Sequence, residues 1–414
     1  MILFCEECGA RNDIDKNQIE GSSYSFSCHA CRETLQVSLV DKIKSKTVQA
    51  DFGLETTVSD ALAESEPLNV LVVDDSKMIR RVLCDIINSD NRKKVVGEAA
   101  NGKEALELLR ELNPDVITLD INMPVMDGLT TLKHIMINNP TPTVMISALT
   151  QEGASETFDA LKYGAIDFLP KPSQVKGGDL QSQQNEILRK IELATGVQIE
   201  SVRYLRRPSK EKNSRNVEAA DKCQSLLALG ASEGGYGALL NVIPRLRMDL
   251  SSAYVAVMHQ APHHLDSFAR YLDQCSELNV DRAIDNTLVK SGTCYLAAST
   301  EFVTLEKIGD KLVLQVDASP FPTRHGAINR LMCSASQVLR EKAAGVILTG
   351  TGDDGLDGLG EIIDRGGTAF IQDPRSCLFK ETPVAAAKRY DVEYLVSDKQ
   401  MAGAINAYII SLMR

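Results

Sequence analysis

The sequence predicts an α/β protein made of two doubly wound domains, each with a parallel sheet between helices, preceded by a small β module. Three observations carry this reading. Short apolar runs alternate with amphipathic stretches over 68–188 and again over 222–414, the pattern of repeated strand–helix units. A polar, charge-rich segment at 189–221 separates them as a linker. Residues 1–40 carry two Cys-x2-Cys pairs, and 414 residues exceed what one ordinary core organises.

Taken in order, the N-terminal unit holds Cys5, Cys8, Cys28 and Cys31 in a C-x2-C-x19-C-x2-C pattern. Four thiolates at this spacing are the ligand set of a structural Zn²⁺ site. The alternation over 21–27 fits a β-ribbon, and a unit this small needs the metal for stability. The unit resembles a zinc ribbon; His29, between two of the ligands, is expected to be exposed rather than a fifth ligand. Residues 41–67 are polar, with Lys42, Lys44 and Lys46 followed by scattered acids, and read as a linker.

In the first α/β domain the strands are expected at 70–73, 94–99, 116–120, 143–147 and 167–169, with helices at 78–88, 103–112, 130–138 and 155–163. A further helical stretch covers 185–193. Asp74 and Asp75 follow the first strand and Asp120 ends the third, so the three acids share the carboxyl rim of the sheet. Clustered acids repel unless a cation joins them, and Mg²⁺ held by carboxylates and a backbone carbonyl meets that need. Ser147 and Lys171 reach the same rim and are suited to phosphoryl oxygens.

The segments VLVVDDSKMIRRVL, VITLDINMPVMDGL, VMISALT and GAIDFLPKP resemble the response-regulator receiver family over this domain. The resemblance implies a flavodoxin-like fold with Asp120 as phosphoacceptor. It implies Mg²⁺ held by Asp75 and Asp120 directly, by Asp74 through water and by the Asn122 carbonyl. Ser147, Phe168 and Lys171 would be the switch residues that respond to phosphorylation. Asp127-Gly128 alone signals only a turn.

In the second α/β domain, buried strands are expected at 226–229, 253–257, 346–348, 368–371 and 393–396. The first runs into Gly230-Ala231-Ser232-Glu233-Gly234-Gly235 and then a helical stretch. Such a turn exposes a serine at a helix N-terminus, where N–H groups can stabilise an oxyanion. The next strand ends at His259, a base for Ser232, and the strand at 346–348 leads to Asp353 and Asp354 on a glycine-rich turn. Ser, His and Asp at one rim form a hydrolytic triad whatever their order in the chain.

The segments LLALGASEGGYGAL, VMHQAPHHLDSFARYL and GVILTGTGDDGLDGL resemble the catalytic domain of the chemotaxis methylesterases, the CheB family, along most of this domain. The resemblance implies Ser232 as nucleophile, His259 as base then acid, and Asp354 rather than Asp353 as the orienting carboxylate. It also implies hydrolysis of glutamate γ-methyl esters on methyl-accepting chemoreceptors, with glutamine deamidation by the same acyl-enzyme route and no metal in that step. A histidine kinase would supply the phosphoryl group. Glu233 stands where the family usually has Thr, an acid able to disturb the imidazole or the oxyanion site. Arg324-His325-Gly326-Ala327-Ile328-Asn329 replaces an Arg/His-Pro-Ser-Val-Asp pattern, and Thr351 replaces a frequent Met. These departures admit another reading, a catalytically inactive, phosphorylation-dependent scaffold.

His263 and His264 read as a solvated helix start, with His325 a second choice for the base; Cys275, Cys294, Cys333 and Cys377 read as buried core residues. A net charge of −11 argues against a nucleic-acid surface. No apolar run reaches about 18 residues, so direct membrane insertion is not expected, and the opening lacks a secretory pattern, which points to the cytoplasm.

Overall fold

The computed structural model describes residues 2–4, 11–13, 23–27, 34–38, 67–147, 154–172, 180–195, 197, 223–260, 262–318 and 326–413. Two short antiparallel pairs come first: β1 (Ile2–Phe4) with β2 (Arg11–Asp13), and β3 (Ser23–Ser27) with β4 (Thr34–Ser38). The segment inside each pair contains one Cys-x2-Cys. Cys5, Cys8, Cys28, Cys31 and His29 themselves lie outside the described residues, as does 41–66 of the expected linker.

The next elements are β5 (Leu68–Val73), α1 (Lys77–Asn88), β6 (Lys93–Ala99), α2 (Gly102–Leu112), β7 (Val116–Asp120), α3 (Gly128–Asn138), β8 (Thr143–Ser147), α4 (Ala154–Lys162), β9 (Asp167–Pro170) and α5 (Leu180–Thr195). The strand order is β6-β5-β7-β8-β9, with β5 parallel to β6 and β7, and β7 parallel to β8. This is the flavodoxin-like order expected of a receiver. Every residue of β7 and β8 is buried, as strands covered on both faces must be. Side-chain caps start three of the helices: Ser76 accepts from the Ile79 N–H, Asn101 from Glu104 and Asp127 from Thr130. The signal at 185–193 belongs to α5, which continues past residue 188 to Thr195, so the linker expected from 189 begins inside a helix.

The C-terminal elements are β10 (Ser225–Ala231), α6 (Gly235–Val242), β11 (Ser252–Met258), α7 (Pro262–Cys275), β12 (Asn279–Arg282), β13 (Thr287–Leu288), β14 (Thr293–Ala298), β15 (Glu301–Ile308) and β16 (Lys311–Ala318). They continue with α8 (Ala327–Leu339), β17 (Ala343–Ile347), α9 (Leu356–Asp364), β18 (Thr368–Gln372), α10 (Glu381–Arg389), β19 (Tyr394–Val396) and α11 (Asp398–Leu412). Seven strands form one parallel sheet in the order β12-β14-β11-β10-β17-β18-β19. Leu226 and Ala228 of β10 and Val255 and Val257 of β11 share a buried cluster with Leu331 of α8 and Leu359 of α9.

All five expected strands are present, but β12 and β14 extend the sheet beyond them, and β13, β16 and β15 form a separate antiparallel sheet. Among the described residues, no helix is long and apolar enough to cross a membrane.

Candidate functional site

In the first sheet the strand order reverses between β5 and β7, and a reversal opens a crevice at the carboxyl ends of the strands. Asp74 and Asp75 leave β5 there and Asp120 ends β7; one ligand atom from each lies within 4.8 Å of the others. Asp74 and Asp120 are buried while Asp75 is exposed. Lys171 reaches in from the end of β9, with Nζ donating to Asp120 Oδ2 at 2.8 Å and lying 3.0 Å from Asp74 Oδ2. The second oxygen has that ion pair but no directed hydrogen bond.

Burial pushes the Asp120 carboxyl up; the Lys171 hydrogen bond opposes this, the Asp74 charge adds to it, and the net result is a raised pKa. Burial works against the Lys171 ammonium, yet the hydrogen bond to Asp120 and the adjacent Asp74 carboxylate leave it above its ordinary value. Three carboxylates within reach of one another, two of them out of water, fit a hard divalent cation such as Mg²⁺. The Lys171 N–H donates to the Ser147 carbonyl at 3.0 Å, which ties the two expected switch residues together through the backbone. Phe168 is buried and meets Phe158 edge-on at 6.0 Å between centroids. Asn122 is exposed directly beyond β7. Gly128 packs on the Asp120 carbonyl, where a β-carbon would collide, so Asp127-Gly128 is more than a turn: it caps α3 against the acidic rim.

The larger sheet reverses between β10 and β17. Ser232 follows β10, His259 follows the adjacent β11, and Asp354 sits on the turn after β17. All three are nearly buried and line one pocket together with Thr351, Ile328 and Thr382. His259 Nε2 is 3.0 Å from Asp354 Oδ2. Asp354 also accepts from the Ile328 N–H at 3.2 Å and the Asn329 N–H at 3.0 Å, both in the first turn of α8. Burial pushes the Asp354 carboxyl up, but the His259 hydrogen bond and these two N–H donors outweigh it and hold the pKa below the usual carboxylate value.

The contacts of Ser232 differ from expectation. Among the hydrogen bonds of the described residues, none joins Ser232 Oγ to His259. Instead Oγ accepts from the Thr351 N–H at 2.8 Å and faces the Thr351 carbonyl at 3.2 Å as donor. The Ser232 N–H bonds the Thr349 carbonyl at 3.2 Å, which draws the turn at 349–351 over the serine. Gly350 permits this closeness, since a β-carbon there would strike Ser232 Oγ.

Residues 227–405 match the CheB methylesterase family and residues 70–179 the response regulator receiver domain family. A protein-glutamate methylesterase/protein-glutamine glutaminase of Pyrococcus abyssi is 39% identical over 80% of this chain and 90% of its own length. The chain belongs to the CheB methylesterase family. Its similarity to a relative of the same name from Geobacillus kaustophilus is 36% identity over 82% of this chain and 97% of that one. The Thermotoga maritima CheB methylesterase catalytic domain matches 45% of this chain and 98% of its own, with 28% identity and a TM-score of 0.42.

Within this CheB chain, Asn329 has a role that the sequence did not reveal: Oδ1 accepts from the Gly355 N–H at 3.1 Å and the Gly358 N–H at 2.7 Å, fastening α8 to the start of α9 beside Asp354. The signal available in the sequence was a glycine, Gly326, three residues before it at the head of a helical stretch. Gln372 accepts from the Thr349 N–H at 2.9 Å and Thr382 donates to the Gly352 carbonyl at 2.8 Å, bracing the same turn. Arg324 and His325 lie outside the described residues. His263 and His264 fall in the first turn of α7, as a helix start requires, with His264 half-buried. Cys275 and Cys294 are buried as expected, whereas Cys333 and Cys377 are only partly so because each borders the surface of a helix or turn.

Proposed function

We propose that this chain hydrolyses glutamate γ-methyl esters on methyl-accepting chemoreceptors, and deamidates glutamines there, under control of phosphorylation at Asp120. The observation that carries the reading is the convergence of Ser232, His259 and Asp354 at the reversal point of the seven-stranded sheet, in a chain covering 90% of a relative that bears that activity in its name.

Ser232 Oγ attacks the ester carbonyl and passes its proton to His259. Because Nε2 faces Asp354, the nitrogen left for this proton is Nδ1, which requires the Ser232 hydroxyl to turn from the Thr351 carbonyl toward the imidazole. Asp354 keeps its charge and stabilises the imidazolium that forms. The tetrahedral intermediate collapses as His259 returns the proton to the departing methoxide, giving methanol and an acyl-enzyme. Water, deprotonated by His259, then attacks the acyl carbon; Ser232 leaves with the proton and the glutamate carboxylate is restored. With glutamine the first leaving group is ammonia.

The receiver would run from 68 through the end of α5 at Thr195 and the esterase over 222–414, with linkers at 41–67 and between α5 and 222. Asp120 accepts the phosphoryl group from a histidine kinase, and Lys171 exchanges its carboxylate partner for the new phosphoryl oxygens. Ser147 would move toward that group and Phe168 would change its burial. Asp74, Asp75, Asp120 and the Asn122 carbonyl would hold Mg²⁺, which when bound neutralises charge on the incoming group. Cys5, Cys8, Cys28 and Cys31 would hold a structural Zn²⁺; the pairing of strands on either side of each Cys-x2-Cys supports this. The setting is cytoplasmic.

The test is methanol release from methylated receptor, with and without acetyl phosphate. Ser232→Ala should abolish release and Asp120→Asn should remove the stimulation. Intact protein that releases none with any donor fits an inactive scaffold instead. Zinc analysis decides the N-terminal site: about one Zn per chain, lost when Cys5 and Cys8 become Ser, is the expected result.

A further inference from the structure

Glu233 immediately follows the nucleophile and is 5% exposed. A carboxylate this far from water is costly unless it is hydrogen-bonded, and its Oε2 accepts from Thr351 Oγ1 at 2.7 Å. Thr351 is the residue whose peptide holds Ser232, with its N–H 2.8 Å and its carbonyl 3.2 Å from Oγ. The two positions are 118 residues apart and meet because β10 and β17 are neighbours in register, Gly230 beside Ile347. The lacing is double: the Ser232 N–H bonds the Thr349 carbonyl, and Thr349 Oγ1 has the Glu233 carbonyl and the Phe379 carbonyl within reach as acceptors, at 3.2 and 3.0 Å.

We propose that Glu233 is a positioning residue for the hydrolysis, acting through Thr351. Its carboxylate anchors the Thr351 side chain, and that anchor fixes the peptide that presents an N–H to the Ser232 oxygen and sets the serine rotamer. The pair works as a unit: neither side chain has the same use without the other. This rests on the reading of Ser232 as the nucleophile.

The experiment measures two rates on the full chain, methanol release and covalent labelling of Ser232 by a fluorophosphonate probe, with thermal melting as a check on folding. The Thr351 N–H can keep its bond to Oγ while the O–H swings from the Thr351 carbonyl to His259, so a serine that loses this fixed donor loses rate rather than substrate binding. Glu233→Ala and Thr351→Val are expected to slow both rates by roughly 10- to 30-fold with KM within about 3-fold of wild type. The double variant should be no slower than the slower single one, since the two act through one bond. Thr351→Ser, which restores the hydroxyl, and Glu233→Gln, which keeps an acceptor, should recover most of the labelling rate.

Wild-type labelling by Glu233→Ala, additive loss in the double variant, or no recovery in Thr351→Ser would each overturn the proposal. If Glu233→Ala does not fold, the pair Thr351→Val and Thr351→Ser decides it by the same criterion. Wild-type protein that labels at Ser232 but releases no methanol removes only the methylesterase reading, and the labelling rates still decide the role of Glu233. Wild-type protein that does not label removes both.

Discussion

Asn329→Ala is the sharpest probe of how the turn that carries Asp354 is held. The side chain accepts two backbone N–H bonds, from Gly355 and Gly358, and alanine leaves both donors without that partner. A side chain to backbone hydrogen bond contributes on the order of 0.5–1.5 kcal/mol net. Asn329 is half-buried, so water can replace part of the loss, and the expected destabilisation falls to the lower part of the two-bond range, about 1–2 kcal/mol. Asp354 adjoins Gly355 and keeps its own N–H donors from Ile328 and Asn329, so the triad should loosen rather than come apart. A loss of about tenfold in kcat, equivalent to roughly 1.4 kcal/mol, is expected. Urea unfolding at neutral pH gives the first number and methanol release with acetyl phosphate the second. A variant with unfolding free energy within about 0.5 kcal/mol of wild type and unchanged kcat would show that Asn329 does not fasten this turn.

Three further outcomes follow from other parts of the structure. Gly350→Ala drives a β-carbon into Ser232 Oγ; crowding of this kind costs about 1–3 kcal/mol, and the same shift of the nucleophile should reduce methanol release about 100-fold. The Asp354 carboxyl is held below its ordinary value, so it contributes stability that is fully present above the unfolded value, roughly 4, and is lost as pH falls through the depressed folded value. The difference in urea unfolding between wild type and Asp354→Asn should accordingly be largest near neutrality and shrink in acid; a difference that grows in acid contradicts the sign. Burial pushes the Cys84 and Cys223 thiols up to about 11, leaving about one thiolate in a thousand at pH 8; mass spectrometry after brief iodoacetamide treatment should find both unmodified in folded protein and modified in urea.

Much of this architecture was legible because burial on both faces leaves uninterrupted apolar runs, as at Val70, Leu71, Val72 and Val73 or Leu226, Leu227, Ala228 and Leu229. Parallel strands then place their carboxyl ends on one rim of each sheet, so Asp74 with Asp120 in the first, and Ser232 with His259 in the second, could be grouped without knowing any distance. What escaped were elements whose pattern is weaker than their environment. β12 reads Asn-Val-Asp-Arg, with one apolar residue, and is a strand because β14 pairs with it. The antiparallel β15 and β16 carry charges along their exposed faces, which hid an eight-residue pairing. Hydrogen bonds across long separations escaped for a different reason: no local pattern announces that Thr351 will hold Ser232, or that Asn329 will fasten Gly355 and Gly358.

The reversal of strand order at β10 and β17 has an evolutionary corollary. The chain leaves Ser232 toward one flank of the sheet and leaves Asp354 toward the other, so the reactive seam is the one place that neither flank can alter by growing. Outlying pieces such as the β15–β16 hairpin, turning at Gly309-Asp310, can lengthen, shrink or acquire new surface without shifting the register between Gly230 and Ile347. Growth on either flank therefore leaves unchanged the register that brings Ser232, His259 and Asp354 to one pocket.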